Sequence, residues 1–145
     1  MYHKKSATMK ALICVLALLA RPALADGISV QPSETLNWAR SPEGVAFAAL
    51  NGDRFAGPCR VMVELPAGLI SPAHVKSADM FGLIVSGTMT HVPNGTDPAS
   101  GAALGPGAYY HIPAGLPHVS SCLSPEPCVT FLYQPGAFDF QPVSP

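Results

Sequence analysis

The chain has 145 residues, a net charge of −1, 48% apolar and 12% charged residues, with sixteen prolines and thirteen glycines. That length holds a single domain. Its eight basic residues are scattered or confined to the first 21 positions, which leaves no basic patch for nucleic acid and no basic amphipathic helix for a membrane surface.

The N-terminus reads as a targeting segment. "MYHKKSATMK" carries three lysines and no acid, "ALICVLALLA" is an apolar run of ten, and Ala23-Leu24-Ala25 precedes Asp26. Basic flank, short apolar run and small residues together predict a secretory signal peptide over 1–25, cleaved before Asp26. Ten apolar residues are half the roughly 20 that span a bilayer, so after cleavage no membrane attachment is expected. Cys14 sits inside the run behind Leu12-Ile13, which is not a lipoprotein context. The protein is therefore expected in the periplasm or outside the cell. Cleavage removes Lys4, Lys5, Lys10 and Arg21 and leaves Arg40, Arg54, Arg60 and Lys76 against nine acids, moving the charge from −1 to −5.

Residues 26–43 are polar with one tryptophan and are expected to lie across the domain as an arm. From 44 on, no segment sustains an apolar period of 3.6 over three turns, and glycine and proline interrupt at short intervals. The predicted strands are "GVAFAAL" (44–50), "CRVMVEL" (59–65), "MFGLIVSG" (80–87), "TMTHV" (88–92), "GAYYHIP" (107–113), "HVSSCL" (118–123) and "CVTFLYQ" (128–134). Asn51-Gly52 is a type I′ hairpin signal between the first two. Such short strands predict an all-β sandwich or small barrel over 44–138. The tail 139–145 is expected to pack outside it, since "FDFQPVSP" cannot continue a central strand.

Of the three cysteines that survive cleavage, Cys122 and Cys128 flank the turn-forming "LSPEP" between two predicted strands. In an oxidising compartment they form the candidate disulfide, with Cys59 left over. Closing so short a loop would stabilise by about 2 kcal/mol. The alternative is three buried thiols.

All four remaining histidines, His74, His91, His111 and His118, fall within 45 residues. "GAYYHIPAGLPHVSSC" fits G-x5-P-x-G-x2-H with Gly107, Pro113, Gly115 and His118 in register, and "GLISPAH" fits G-x5-H ending at His74, with Gly87 closing that half. In these two halves the chain resembles the cupin superfamily. "SGTMTH" together with the second half is most similar to the small ChrR-like single-domain cupins. The resemblance covers roughly residues 44–135 and implies a double-stranded β-helix, a jelly-roll barrel of roughly six to eight strands around one cavity. It also implies metal ligands at His74, at positions 76 and 80, and at His118.

Positions 76 and 80 depart from the family. Lys76, protonated, offers no lone pair and repels a cation. Met80 offers a soft sulfur that suits copper better than iron or manganese, although a methionine there also simply fills a core. His111 or His91 would supply a third imidazole if its strand register turned it inward, while the alternative for both is a solvent face. Tyr110 is expected at the cavity with Lys76 and Met80.

Three functions follow. The first is a metal-binding cupin holding zinc, iron, copper or manganese through His74, His118 and a third histidine, with chemistry on a small molecule. The second is a non-catalytic cupin with a degenerate site, in which Lys76 binds a small organic anion, or the site holds copper; Glu64 is an internal alternative as partner to Lys76. The third is a ligand-free barrel, and the family resemblance implies a homodimer through the outer sheet and the arm. The sequence contains no H-E-x-x-H, C-x-x-C, P-loop or G-x-S-x-G. Asn94-Gly95-Thr96 is a glycosylation sequon in form, better explained as a turn.

Overall fold

A computed structural model describes residues 27–143, so the expected signal peptide over 1–25 and the last two residues of the tail lie outside the described residues. Ten strands appear among the described residues: β1 (Trp38–Arg40), β2 (Ala46–Asn51), β3 (Cys59–Leu65), β4 (His74–Val75), β5 (Met80–Ser86), β6 (Met89–Pro93), β7 (Tyr109–Ile112), β8 (His118–Cys122), β9 (Cys128–Gln134) and β10 (Gln141–Pro142). They form two antiparallel sheets, ordered β1-β2-β3-β9-β5-β7 and β10-β4-β8-β6. From β3 onward every connection crosses from one sheet to the other. This is the all-β jelly roll expected from the sequence.

Alternation of side chains creates the core. In β3 and β9 every second residue is buried, and the two strands pair without a break from Cys59↔Gln134 to Leu65↔Cys128. Their inward residues Val61, Val63 and Leu132 meet Ile84 and Met89 between the sheets. Ile84 and Leu132, each 1% exposed, contribute roughly 1.5–3 kcal/mol apiece by leaving water. Two glycines are required by this geometry. A Cβ on Gly82 would stand 2.0 Å from the Tyr110 ring, so its absence lets Tyr110 lie across β5. Gly87, at φ +78°, turns the chain from one sheet to the other with Cys128 Sγ 2.8 Å from where a Cβ would be.

Three expectations need correction. The arm is not merely laid across the barrel, because Trp38–Arg40 pairs with β2 and extends the larger sheet. β2 and β3 pair as the expected antiparallel hairpin, but not through a two-residue Asn51-Gly52 turn: Asn51 ends β2 beside a bulge and β3 begins only at Cys59, so a longer loop through Pro58 joins them. The tail does join a sheet. Gln141 and Pro142 pair with Val75 and His74, and a proline is tolerated there because β10 is an edge strand.

Candidate ligand cavity

The space between the sheets is a cavity of about 550 Å³ with walls mainly of valine, leucine, methionine and phenylalanine. His74, Lys76, Met80, His91 and Tyr110 line it. β4 and β8 bring His74 and His118 into direct register, with ring centroids 4.2 Å apart.

Each of those two imidazoles is oriented by its own backbone. His74 Nδ1–H donates to Pro72 O and His118 Nδ1–H to Leu116 O, both at 2.9 Å, which leaves the Nε2 lone pairs free. His118 Nε2 is buried without a partner, and so is His91 Nε2. Burial holds His74 and His91 down to a pKa of about 4, with neighbouring positive charge adding to the effect, and it lowers His118 as well. His74 and His91 are thereby held neutral at pH 7. His91 Nδ1 meets Ser120 Oγ at 2.8 Å, its ring lies 4.0 Å from that of Tyr110, and with His118 it also lines a smaller cavity of about 290 Å³. Tyr110 hydrogen-bonds Thr130 Oγ1 at 3.1 Å, and burial pushes its hydroxyl up to about 12.

His111 does not belong to this group. On β7 it alternates with the inward Tyr110 and Ile112, so it faces outward, stacked on Phe81 at 4.7 Å and 3.3 Å from Asp79. A period-2 strand cannot place both residue 110 and residue 111 inside.

Lys76 is 3% exposed. Its ammonium donates to the backbone carbonyl of Asp139 and lies 3.7 Å from the centroid of the Phe138 ring. Burial brings its pKa down to about 8. Glu64, the acid considered as its internal partner, instead pairs with Arg40 on the outside at 3.0 Å.

As they stand, the residues do not fit a cupin metal centre. Two imidazoles present lone pairs, but an ammonium occupies the second ligand position. Among the described residues no three His, Cys, Asp or Glu side chains come together so as to hold an ion. Met80 is buried among core residues at the cavity wall.

Sequence reasoning missed the other half of the site. Phe138 and Phe140 come from the segment ahead of β10, Phe140 stacking on His74 at 4.2 Å, and Arg54 comes from the β2–β3 loop. The alternating aromatics of "GAFDF" were the available signal. At the far end of β8, Cys122 and Cys128 stand with sulfurs 2.03 Å apart, and Cys59 is buried and free.

The family described as "Domain of unknown function (DUF4437)" matches residues 24–144. No curated protein matches the chain. Among solved structures, an RmlC-like cupin from Shewanella frigidimarina is similar at TM-score 0.59 and 14% identity, covering 75% of this chain and 92% of that one. KdgF from Halomonas sp. is similar at TM-score 0.59 and 20% identity, with 74% and 94% covered. The polyketide cyclase RemF from Streptomyces resistomycificus is similar at TM-score 0.64 and 16% identity, with 82% and 87% covered. These similarities establish a cupin fold.

Proposed function

This chain belongs to the DUF4437 family and has the cupin fold, and from that premise we propose that it is a binding cupin whose cavity takes a small organic anion on Lys76. One observation carries the reading: a fully buried ammonium in an apolar cavity that makes no ion pair with any acidic side chain among the described residues. A buried charge is costly without a counter-charge, and only one of its donors is used, by a backbone carbonyl. A ligand carboxylate supplies what is missing. An exported location is part of this reading and rests on the signal peptide expected over 1–25; the Cys122–Cys128 pair suits an oxidising compartment, and the motif resemblance supports a ChrR-like kind of cupin. A homodimer through the outer sheet is consistent with the cupin resemblance.

Calorimetric titration of the mature protein with benzoate, and of Lys76→Met beside it, tests the reading. Binding that weakens about ten-fold or more in the variant is expected for a desolvated charge pair. Equal affinity in the two proteins overturns it.

A second reading keeps a transition metal on the facing pair His74 and His118, because backbone carbonyls hold both rings with Nε2 free. Elemental analysis of chelator-free protein decides between them. The anion reading expects no metal in the parent and acquisition only in Lys76→His. One equivalent of copper, zinc, iron or manganese in the parent, lost in His118→Ala, replaces it.

A further inference from the structure

Lys76 is not the only cation facing the cavity without an ion pair: the carboxylates of Asp139 and Asp53 act on Lys76 and Arg54 only from beyond salt-bridge distance. Arg54 lines it too, its guanidinium carbon 4.4 Å from the Phe47 ring centroid and 3.9 Å from that of Phe55. Among the described residues its side chain makes no ion pair. The acids nearby are engaged elsewhere: Asp53 Oδ1 accepts from Phe55 N at 2.9 Å, and the Asp139 carboxylate accepts from Ser77 N and Gln141 Nε2. Glu43 lines the cavity from an exposed position.

Both cations lie against one ring. Phe138 has Lys76 Nζ 3.7 Å and Arg54 Cζ 5.9 Å from its centroid, and it meets Phe47 edge-on at 5.4 Å. Phe140 and Tyr110 add further aromatic wall. A flat ring suits such walls by stacking, and the buried Lys76 ammonium and the half-buried Arg54 guanidinium, neither of them ion-paired, can each take one negative charge from it.

We infer that Arg54 is a second anion-binding residue and that the ligand class is an aromatic dianion, with one carboxylate on Lys76 and the other on the Arg54 guanidinium. This rests on the anion reading above and narrows it. The forked donors of Arg54 would take a carboxylate bidentately, while the ammonium of Lys76 acts as a point charge.

The test titrates the mature protein with benzamide, benzoate, phthalate, isophthalate and terephthalate. At least one dicarboxylate should bind about ten-fold more tightly than benzoate, and benzoate more tightly than benzamide, each step adding one charge pair. In Arg54→Gln the ratio of dicarboxylate to benzoate affinity should fall to about one, and Lys76→Met should weaken both acids. If all three dicarboxylates bind no better than benzoate, or if Arg54→Gln keeps the advantage, the dianion inference fails while the Lys76 reading stands. If Arg54→Gln weakens benzoate as much as the dicarboxylate, one carboxylate is shared by both cations and the inference fails likewise. If benzoate binding does not depend on Lys76, both readings fall. Should Arg54→Gln not fold, the ranking in the parent alone decides.

Discussion

The two ends of β8 put burial to different uses. At one end Cys122, 1% exposed, bonds its N–H to Leu69 O at 2.9 Å, faces Cys128 and packs in the cluster of Ile84, Met89 and Leu132. At the other end, four residues away, His118 is 2% exposed with Nε2 unpartnered, beside His74 and the cavity that holds Lys76. Apolar burial stabilises the fold directly, whereas buried lone pairs and charge cost stability and are tolerated where a ligand can meet them. The contrast separates the scaffold from the site within a single strand.

Acid should break the contrast most strongly. His74 and His91 are held near pKa 4 in the folded protein against 6.5 when exposed, so between pH 6.5 and 4 the unfolded chain binds more protons. Stability contributed above pH 6.5 is therefore lost as pH falls to 4, by up to about 1.4 kcal/mol per pH unit for each fully titrating imidazole. Denaturation midpoints across that range measure it, and His91→Asn should flatten the slope. Lys76 acts at the alkaline side. Its folded pKa of about 8 lies below 10.5, so stability should rise as pH climbs from 8 toward 10.5.

At the packed end, Cys122→Ala with Cys128→Ala should cost about 2 kcal/mol by releasing a short loop in the unfolded chain. Urea melts read this, and an unchanged midpoint would mean that the two thiols are not bonded in solution. Lys76→Met should make the ligand end resemble the packed end and raise stability by about 1–2 kcal/mol while weakening anion binding. The smallest effect belongs to His111→Ala. Its outward pair with Asp79 is half-exposed, and the change should stay within about 0.5 kcal/mol and leave ligand affinity unaltered.

The longer strands of the barrel were legible because each carries its own alternation and its own bounding glycine or proline, as β3 and β9 illustrate, whereas the two-residue β4 was not among the predicted strands. The histidine pair was legible through spacing: His74 and His118 sit opposite each other because the two motif halves end on paired strands. What escaped was whatever depends on distant partners. The pairing of β1 and β10 rests on edges offered by β2 and β4, and two- or three-residue strands have no period to read. Arg54 and Phe138 share a cavity wall although 84 positions separate them (54 to 138), and no local pattern announces that. His111 was ambiguous only while Tyr110 was not fixed; once Tyr110 lies over Gly82, residue 111 must face out.

The wall built from Phe138 to Pro142 has a consequence for biosynthesis. β2 to β9 carry the paired strands of both sheets and are made first, whereas the residues that cover Lys76 and His74 emerge after them. The cavity is thus bounded last as the chain is synthesised from its N-terminus. Loss of that last segment would therefore uncover Lys76 and His74 while leaving the strands from β2 to β9 in the chain.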